Sequence, residues 1–231
     1  MKKQMPLTWQ DCLFLLCAAF FFFGCIASAH RSGKTLDQGQ ASFSGSYLRA
    51  ENVDDPDAEP VQLIALDARV GVNQAVDLGA MHTWDITRYN ENQFASFWGD
   101  FKVQVNNREN LHGMPIFSTG LIKGYVYDES ADLHITGLPL IVSLPLNQNF
   151  TPYIMYRHEL ISDGFLPDDF DDPRSTFVLG TEVNLRKPTP KQWAPKVGLS
   201  IGTFNSLTGC EGDRGFVFNL GLGVDSPPKR P

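Results

Sequence analysis

Cysteine is scarce in this chain, and its placement excludes a disulfide framework. Three of the four cysteines, Cys12, Cys17 and Cys25, fall near the amino terminus, which leaves Cys210 as the only thiol downstream. An exported domain with a single thiol must be stabilised by something other than internal disulfide bonds. No spacing of His and Asp residues around Cys210 indicates a nucleophile, so we expect this thiol to have no catalytic role.

Several function classes lack their signature motifs. The chain contains no Walker loop, no CxxC pair, no HExxH and no GxSxG. We therefore expect no catalytic residues, no resident metal and no cofactor. The formal net charge of −7 argues against nucleic acid as a ligand. Helical periodicity is also missing from every long segment, while Pro and Gly recur along the chain, a pattern typical of an all-β fold with regular turns.

The amino terminus predicts export from the cytoplasm. Lys2 and Lys3 precede an uncharged apolar run over residues 13–23, which is well short of the roughly 20 residues that a spanning helix needs. It therefore reads as the core of a signal peptide. The sequence contains two alternative cleavage sites for this signal peptide. Residues 22–25 resemble a bacterial lipobox, which would make Cys25 the lipidated first residue, and residues 27–29 form an A-x-A site for cleavage before His30.

Ten segments beyond this leader favour β-strands. They are residues 40–50, 61–72, 75–84, 96–106, 115–127, 133–146, 150–160, 175–186, 193–203 and 215–224. The sixth is the weakest, because Pro139 and Pro145 each remove a ladder donor and predict a bulge or an early strand end. The expected domain organisation is a signal peptide over 1–24 (alternative end 29), a linker over 25–39, a barrel over 40–224 and a tail over 225–231.

The last of these strands shows the facing most clearly. Because side chains alternate between the two faces of a strand, Phe216, Phe218, Leu220, Leu222 and Val224 share one face. Val217, Asn219, Gly221 and Gly223 share the other. A membrane barrel would turn the bulky face to lipid and the small face to a narrow lumen. A soluble sheet would instead turn the bulky face to its core.

The same asymmetry places charged residues of both signs on the proposed inner face. They are Asp67, Arg69, Asp77, Asp100, Lys102, Arg157, Glu159, Glu182, Arg186 and Lys196. Mixed signs in a confined lumen predict charge pairs that plug the barrel. A narrow pore, a small-ligand site and a catalytic site are the alternatives that these residues leave open.

Connection lengths give an independent indication of the same architecture. Compact connections such as residues 72–74 and 147–149 alternate with longer, acidic ones such as 51–57 and 162–174. Short turns at one end and longer loops at the other are typical of outer-membrane barrels with an even number of strands. Such a meander leaves both chain termini on the periplasmic side.

These features resemble those of the small, uncharacterised outer-membrane β-barrel proteins of Gram-negative bacteria. The resemblance rests on residues 69–79, 99–102 and 151–153 and on the closing strand. It implies an all-β fold, a closed antiparallel up-and-down transmembrane β-barrel of about ten strands (8–10). It also implies location in the cell outer membrane, with outer-membrane lipids as partners and a small solute or an envelope protein as a further possible partner.

The predicted role is therefore structural, interactive or weakly pore-forming, with Cys25 as a possible lipid anchor. The main rival is a soluble periplasmic lipoprotein whose barrel or sandwich holds an apolar ligand inside. An envelope hydrolase ranks third, because the spacing of His82, Asp85 and His158 fixes no base, carboxylate and nucleophile in one place. The acidic residues 168–172 could offer oxygen ligands to a divalent ion, although a solvated loop is the simpler interpretation.

Overall fold

The computed structural model describes residues 32–53, 57, 60–87, 95–106, 114–127, 132–162, 172–186, 189, 192–206 and 214–227. Ten β-strands account for the regular structure of these residues. They are β1 (Ala41–Asn52), β2 (Val61–Gly71), β3 (Val76–Asp85), β4 (Ala95–Gln104), β5 (Ile116–Tyr127), β6 (Asp132–Ser143), β7 (Phe150–Ser162), β8 (Asp172–Asn184), β9 (Ala194–Ser206) and β10 (Arg214–Asp225). Nowhere in this described part does a helix occur that is long and apolar enough to cross a membrane.

The strands form one closed antiparallel barrel. Each strand pairs with its sequence neighbours, and β1 pairs with β10 to complete the ring. The predicted all-β barrel of ten strands is confirmed. Because the strand number is even, β1 begins and β10 ends at the same end of the barrel, here called the terminus end. The opposite end, where β1 connects to β2, is the loop end.

The irregularity expected in β6 takes one of its two predicted forms. The strand ends at Ser143, ahead of Pro145, as an early end requires. The other predicted form, a bulge at Pro139, does not occur. The β5–β6 pairing runs from Thr119 opposite Leu140 to Ile122 opposite Gly137 without a change of register. Pro139 costs the ladder a donor, but no extra residue enters either strand.

Bulky apolar side chains cover the outside of the barrel. Leu222 is 64% exposed and Ile201 is 56% exposed, whereas Asn219 on the inner face is 6% exposed. The alternation predicted for β10 is therefore confirmed, with Phe216, Phe218, Leu220 and Leu222 outside. The rival prediction, in which the bulky apolar face points into a core, is wrong for β9 and β10.

The buried side chains of the lumen are of two kinds. Towards the loop end, a cluster of buried apolar residues joins several strands: Leu48, Leu63, Ala65, Met81, Trp98, Val126, Ile135 and Val217. A smaller apolar cluster of Ile141, Tyr153, Met155 and Val178 lies on β6, β7 and β8. Much of the remaining lumen carries charged and hydroxyl side chains, with most of the charged ones nearer the terminus end. We call the larger apolar cluster the apolar layer and the charged side chains of the lumen the charged layer.

Candidate functional site in the barrel lumen

The charged layer contains ion pairs, of which four are described here for residues of the strands. Arg69 Nη2 lies 2.6 Å from Asp100 Oδ1, and Lys102 Nζ lies 3.3 Å from Asp77 Oδ2. The other two pairs are Arg157 with Glu159 at 2.8 Å and Lys196 with Asp225 at 2.7 Å. All eight side chains point into the lumen and are largely buried. A buried charge requires a partner of opposite sign, because removal of one partner leaves the other without solvation.

Neighbouring residues leave room for these pairs and add hydrogen bonds. A Cβ on Gly79 would lie 2.4 Å from Asp100 Oδ2 and 2.6 Å from Arg69 Nη2, so the glycine makes space for that pair. Thr176 donates its hydroxyl to Glu159 Oε2 at 3.2 Å. The Arg157 guanidinium lies 5.9 Å from the ring centroid of Trp98, where the charged layer meets the apolar layer.

Asp67 and Glu182 also face the lumen, where both line a small cavity beside Lys196. Arg186 does not face the lumen, and its assignment to the charge network is wrong. It lies two residues past the end of β8, is exposed, and donates from Nη1 to Gln192 Oε1 at 3.2 Å. The predicted strand ran to residue 186, but β8 ends at Asn184. Side chains alternate between faces only within a strand, so the alternation does not apply to Arg186.

The described part of the predicted linker lies inside the barrel mouth rather than outside it. Ser32 is 3% exposed and Thr35 is 2% exposed. Lys102 Nζ donates to the carbonyls of Ser32 and Lys34 at 3.1 and 2.8 Å. We call residues 32–40 the N-terminal segment.

Further contacts of the N-terminal segment follow the inner wall from β6 to β2. The Gly33 amide donates to Ser143 Oγ at 2.6 Å, and Ser118 Oγ donates to the Gly33 carbonyl. The Leu36 amide donates to Asp77 Oδ1 at 2.8 Å. The single hydroxyl proton of Thr35 is directed at the Gln74 carbonyl at 2.8 Å, and Gln104 Oε1 lies 3.2 Å from the same oxygen. These bonds satisfy backbone groups that would otherwise be buried without partners.

A left-handed turn returns this segment to the wall. Gly39 has φ of 69°, a conformation that residues with a Cβ rarely adopt. Its amide donates to the Gly71 carbonyl at 2.7 Å, and the Gln40 amide donates to the Asp37 carbonyl at 2.8 Å. β1 then begins at Ala41, so the turn joins the interior segment directly to the barrel wall.

The residues considered for a hydrolase do not meet. His82 lies on the outer face of β3, where its ring stacks on Phe97 with centroids 4.0 Å apart. Asp85 is buried on the inner face of the same strand and accepts a hydrogen bond from the Thr87 amide at 2.8 Å. His158 follows the outward-facing Tyr156 on β7 by two residues and shares its face. The barrel wall thus separates the two histidines from this carboxylate.

Sequence reasoning missed two groups of lumen residues. Ser118 and Ser143, which hold Gly33 of the N-terminal segment, occupy inward positions near strand ends, and their polarity was the available signal. Asp225 was assigned to the tail, yet it is the last residue of β10 and pairs with Lys196. Cys25, Cys210 and the acidic residues 168–171 lie outside the described residues.

The comparisons with known proteins return outer-membrane proteins. A channel of the COG4313 group from Pseudomonas putida F1 is 10% identical, with coverage of 87% of this chain and 100% of that one and a TM-score of 0.44. The outer-membrane protease OmpT from Escherichia coli is 9% identical, with coverage of 86% and 99% and a TM-score of 0.39. Ail, the attachment invasion locus protein of Yersinia pestis, is 11% identical, with coverage of 82% and 99% and a TM-score of 0.31.

No family model matches this chain, and no curated protein matches it. At these identities and TM-scores the structural likeness carries no argument about role. What the chain does must therefore be inferred from its own geometry.

Proposed function

We propose that this chain is an outer-membrane β-barrel with a closed lumen and a structural or interaction role in the cell envelope. The observation that carries the proposal is the facing of the wall. Apolar side chains such as Ile201 and Leu222 are more than half exposed outside, while ion pairs are buried inside. A barrel stable in water would have the opposite arrangement, since large contiguous apolar surface in water is unfavourable.

The dimensions and rims of the barrel agree with this placement. The strands have 10 to 13 residues, and a tilted membrane strand needs about 9–11. Aromatic side chains mark both ends of the outer face, as in the girdles of membrane barrels. At the terminus end the rings of Phe43 and Trp193 lie 6.3 Å apart, and at the loop end Trp84 packs edge-on against His82.

Closure of the lumen favours a structural or interaction role over transport. The N-terminal segment crosses the terminus end, and the apolar layer fills the loop end. Between them, the ion pairs occupy the middle of the lumen. A narrow pore would require a continuous wet path through all three. The proposed function is therefore that of a closed barrel which presents its loops and outer wall to other envelope components.

Lipidation of Cys25 is a finer part of the same proposal. Export would place the terminus end, and hence the start of the mature chain, on the periplasmic side. A lipid on Cys25 would then anchor the chain in the inner leaflet of the membrane that the barrel spans. Mass spectrometry of the mature terminus decides this point: an acylated Cys25 supports the anchor, and an unmodified peptide that begins at His30 refutes it.

The experiment that tests membrane placement is spin labelling of the outer wall. In a Cys210→Ser background, nitroxide labels at Phe218→Cys and Leu220→Cys should collide with oxygen in reconstituted bilayers and be shielded from a water-soluble relaxer. Lys34→Cys is the matched control, because Lys34 is exposed at the barrel mouth. Equal access of the water-soluble relaxer to all three labels would contradict the proposal.

A further inference from the structure

A small cavity lies in the lumen against the wall formed by β1, β9 and β10, where the charged layer meets the apolar layer. Its volume is about 40 Å³, and its lining includes Ser46, Met81, Gly198, Asn219 and Gly221. One water needs roughly 10–15 Å³ of such volume, so there is room for about three. The cavity therefore has the size of a small cluster of waters.

Two glycines keep this space open. Gly198 pairs with Gly221 across the β9–β10 ladder, and both line the cavity. A Cβ built on Gly198 would meet no atom within 4 Å, and one on Gly221 would make only ordinary contact with Ser46 at 3.4 Å. The hydrogen bonds described above for residues 32–36 reach β3 to β6 and the β2–β3 turn, on another part of the ring. Both glycine positions thus have room for a side chain, and the sequence places none there.

The side chain of Asn219 carries a buried oxygen that needs a donor. It lines the cavity and is 6% exposed, and its Oδ1 accepts no hydrogen bond from any described residue. A buried carbonyl oxygen without a donor is unfavourable, and such oxygens in folded proteins are nearly always satisfied by protein groups or by ordered water. The donor for Asn219 therefore has to come from a bound species.

Ser200 gives a second, independent indication of a bound species. It lies directly opposite Asn219 in the β9–β10 ladder, and its buried hydroxyl oxygen has no hydrogen-bond partner among the described residues. Side chains directly opposite each other in an antiparallel pair have Cβ atoms about 4.5–5.5 Å apart. A small species that both donates and accepts hydrogen bonds can bridge this gap, and the Ser46 hydroxyl at the cavity offers a third partner.

The charges around the cavity indicate that the bound species is neutral. Lys196 reaches the cavity, and its ammonium pairs with Asp225 at 2.7 Å. Asp67 and Glu182 also contribute to the lining, and both have interaction partners of their own in the structure. The charged groups in this lining are therefore already compensated. Water is a neutral species that donates and accepts hydrogen bonds and fits this volume.

We infer that this cavity binds a cluster of about two or three waters, which hydrogen-bond to Asn219 and bridge it to Ser200. Waters held in this way are part of the fold, because they satisfy polar groups that the strands do not pair. They also make the interior of the barrel uneven. The side of the lumen along β1, β9 and β10 is hydrated, whereas the smaller apolar cluster on β6, β7 and β8 is dry.

The test is X-ray radiolytic footprinting of the folded barrel in detergent, because irradiation forms hydroxyl radicals from water, bound water included. Met81 lines the cavity and is 6% exposed, whereas Met155 in the smaller apolar cluster is 2% exposed and serves as the matched control. Mass spectrometry should show that Met81 is oxidised several-fold faster than Met155 at equal dose. Equal protection of the two methionines would overturn the inference.

Variants that fill the cavity separate bound water from access by bulk solvent. Gly198→Val occupies the space without altering any charge, and it should bring the oxidation rate of Met81 down to that of Met155. Gly45→Val adds the same bulk on the outer face of β1 and should keep the wild-type rate. If Gly198→Val lacks the heat-modifiable gel shift of a folded barrel, Gly221→Ala takes its place and should lower the rate in part. Oxidation of Met81 that persists in the filled cavity would assign the radicals to bulk solvent and overturn the inference.

Discussion

Towards the loop end the lumen contains Leu48, Leu63, Trp98 and their apolar neighbours, whereas towards the terminus end it contains ion pairs and the N-terminal segment. The apolar side chains form one cluster, so the cost of losing one depends on how far its neighbours can move into the space. Each buried charge depends on one particular partner. We therefore expect a single substitution in the apolar layer to lower the free energy of unfolding less than a single substitution in the charged layer does.

The largest effect is expected for Lys102→Met. Lys102 pairs with Asp77 and also donates to the carbonyls of Ser32 and Lys34. Its loss strands a buried carboxylate and releases the N-terminal segment, so the free energy of unfolding should fall by about 3–5 kcal/mol. Urea unfolding in detergent, followed by tryptophan fluorescence, measures this change.

Two further variants control for Lys102→Met. Arg49→Met removes the cation of an exposed ion pair with Glu51, at 2.7 Å, and should cost less than about 1 kcal/mol. Combining Asp77→Asn with Lys102→Met should recover part of the loss, because no charge is then stranded. If Arg49→Met lowers the free energy of unfolding as much as Lys102→Met does, the expected difference between buried and exposed ion pairs is contradicted.

A smaller loss is expected in the apolar layer for Leu63→Ala. Leu63 is 1% exposed and belongs to the apolar cluster. The substitution leaves a cavity and should cost about 3 kcal/mol, without releasing the N-terminal segment. Proteolysis at Lys34 separates the two halves: it should increase in Lys102→Met and remain at the wild-type rate in Leu63→Ala.

Gly39→Ala should have a modest effect confined to the terminus end. The φ of 69° at Gly39 is strained for alanine, which predicts a loss of about 1 kcal/mol. Gly45→Ala is the matched control, because a Cβ there meets Leu66 at an ordinary 3.5 Å. Equal unfolding free energies for the two variants would show that the turn does not depend on the left-handed conformation.

Ion conductance is expected to change least, and we expect no change in it when residues 32–36 are removed. The ion pairs and the apolar layer remain, so planar-bilayer conductance should stay at the wild-type level, which we expect to be absent or very small. A deletion that opens a large, steady conductance would show that the N-terminal segment is the sole barrier. Ion selectivity that changes with Lys102→Glu would then favour a narrow pore as the function.

The strands of the barrel wall and the facing of their side chains could be predicted from the sequence, because side chains in a strand alternate with a period of two residues. Ten predicted segments correspond to ten strands, and Phe218 and Asn219 lie on the faces that the alternation assigned to them. The facing of the charged residues followed from the same rule. It failed for Arg186 because the strand ends at Asn184.

The residues that occupy the lumen were harder to predict from the sequence. Leu63 and Trp98 are apolar residues at inward positions, and polarity alone would have placed them outside. Ser32 and Lys34 contribute backbone carbonyls to Lys102, and a carbonyl is present in every residue and leaves no signal in the sequence. Whether Cys25 is lipidated stays a prediction.

The pairing of β1 with β10 also sets the order in which the molecule can be completed. Ser42 pairs with Asp225, so the first strand must wait for the last one before its edge is satisfied. Such distant contacts make folding slow and leave unpaired edges exposed in the meantime. A chain truncated before Arg214 would expose the edges of both β1 and β9, and we expect it to aggregate or to be degraded rather than to form a smaller barrel.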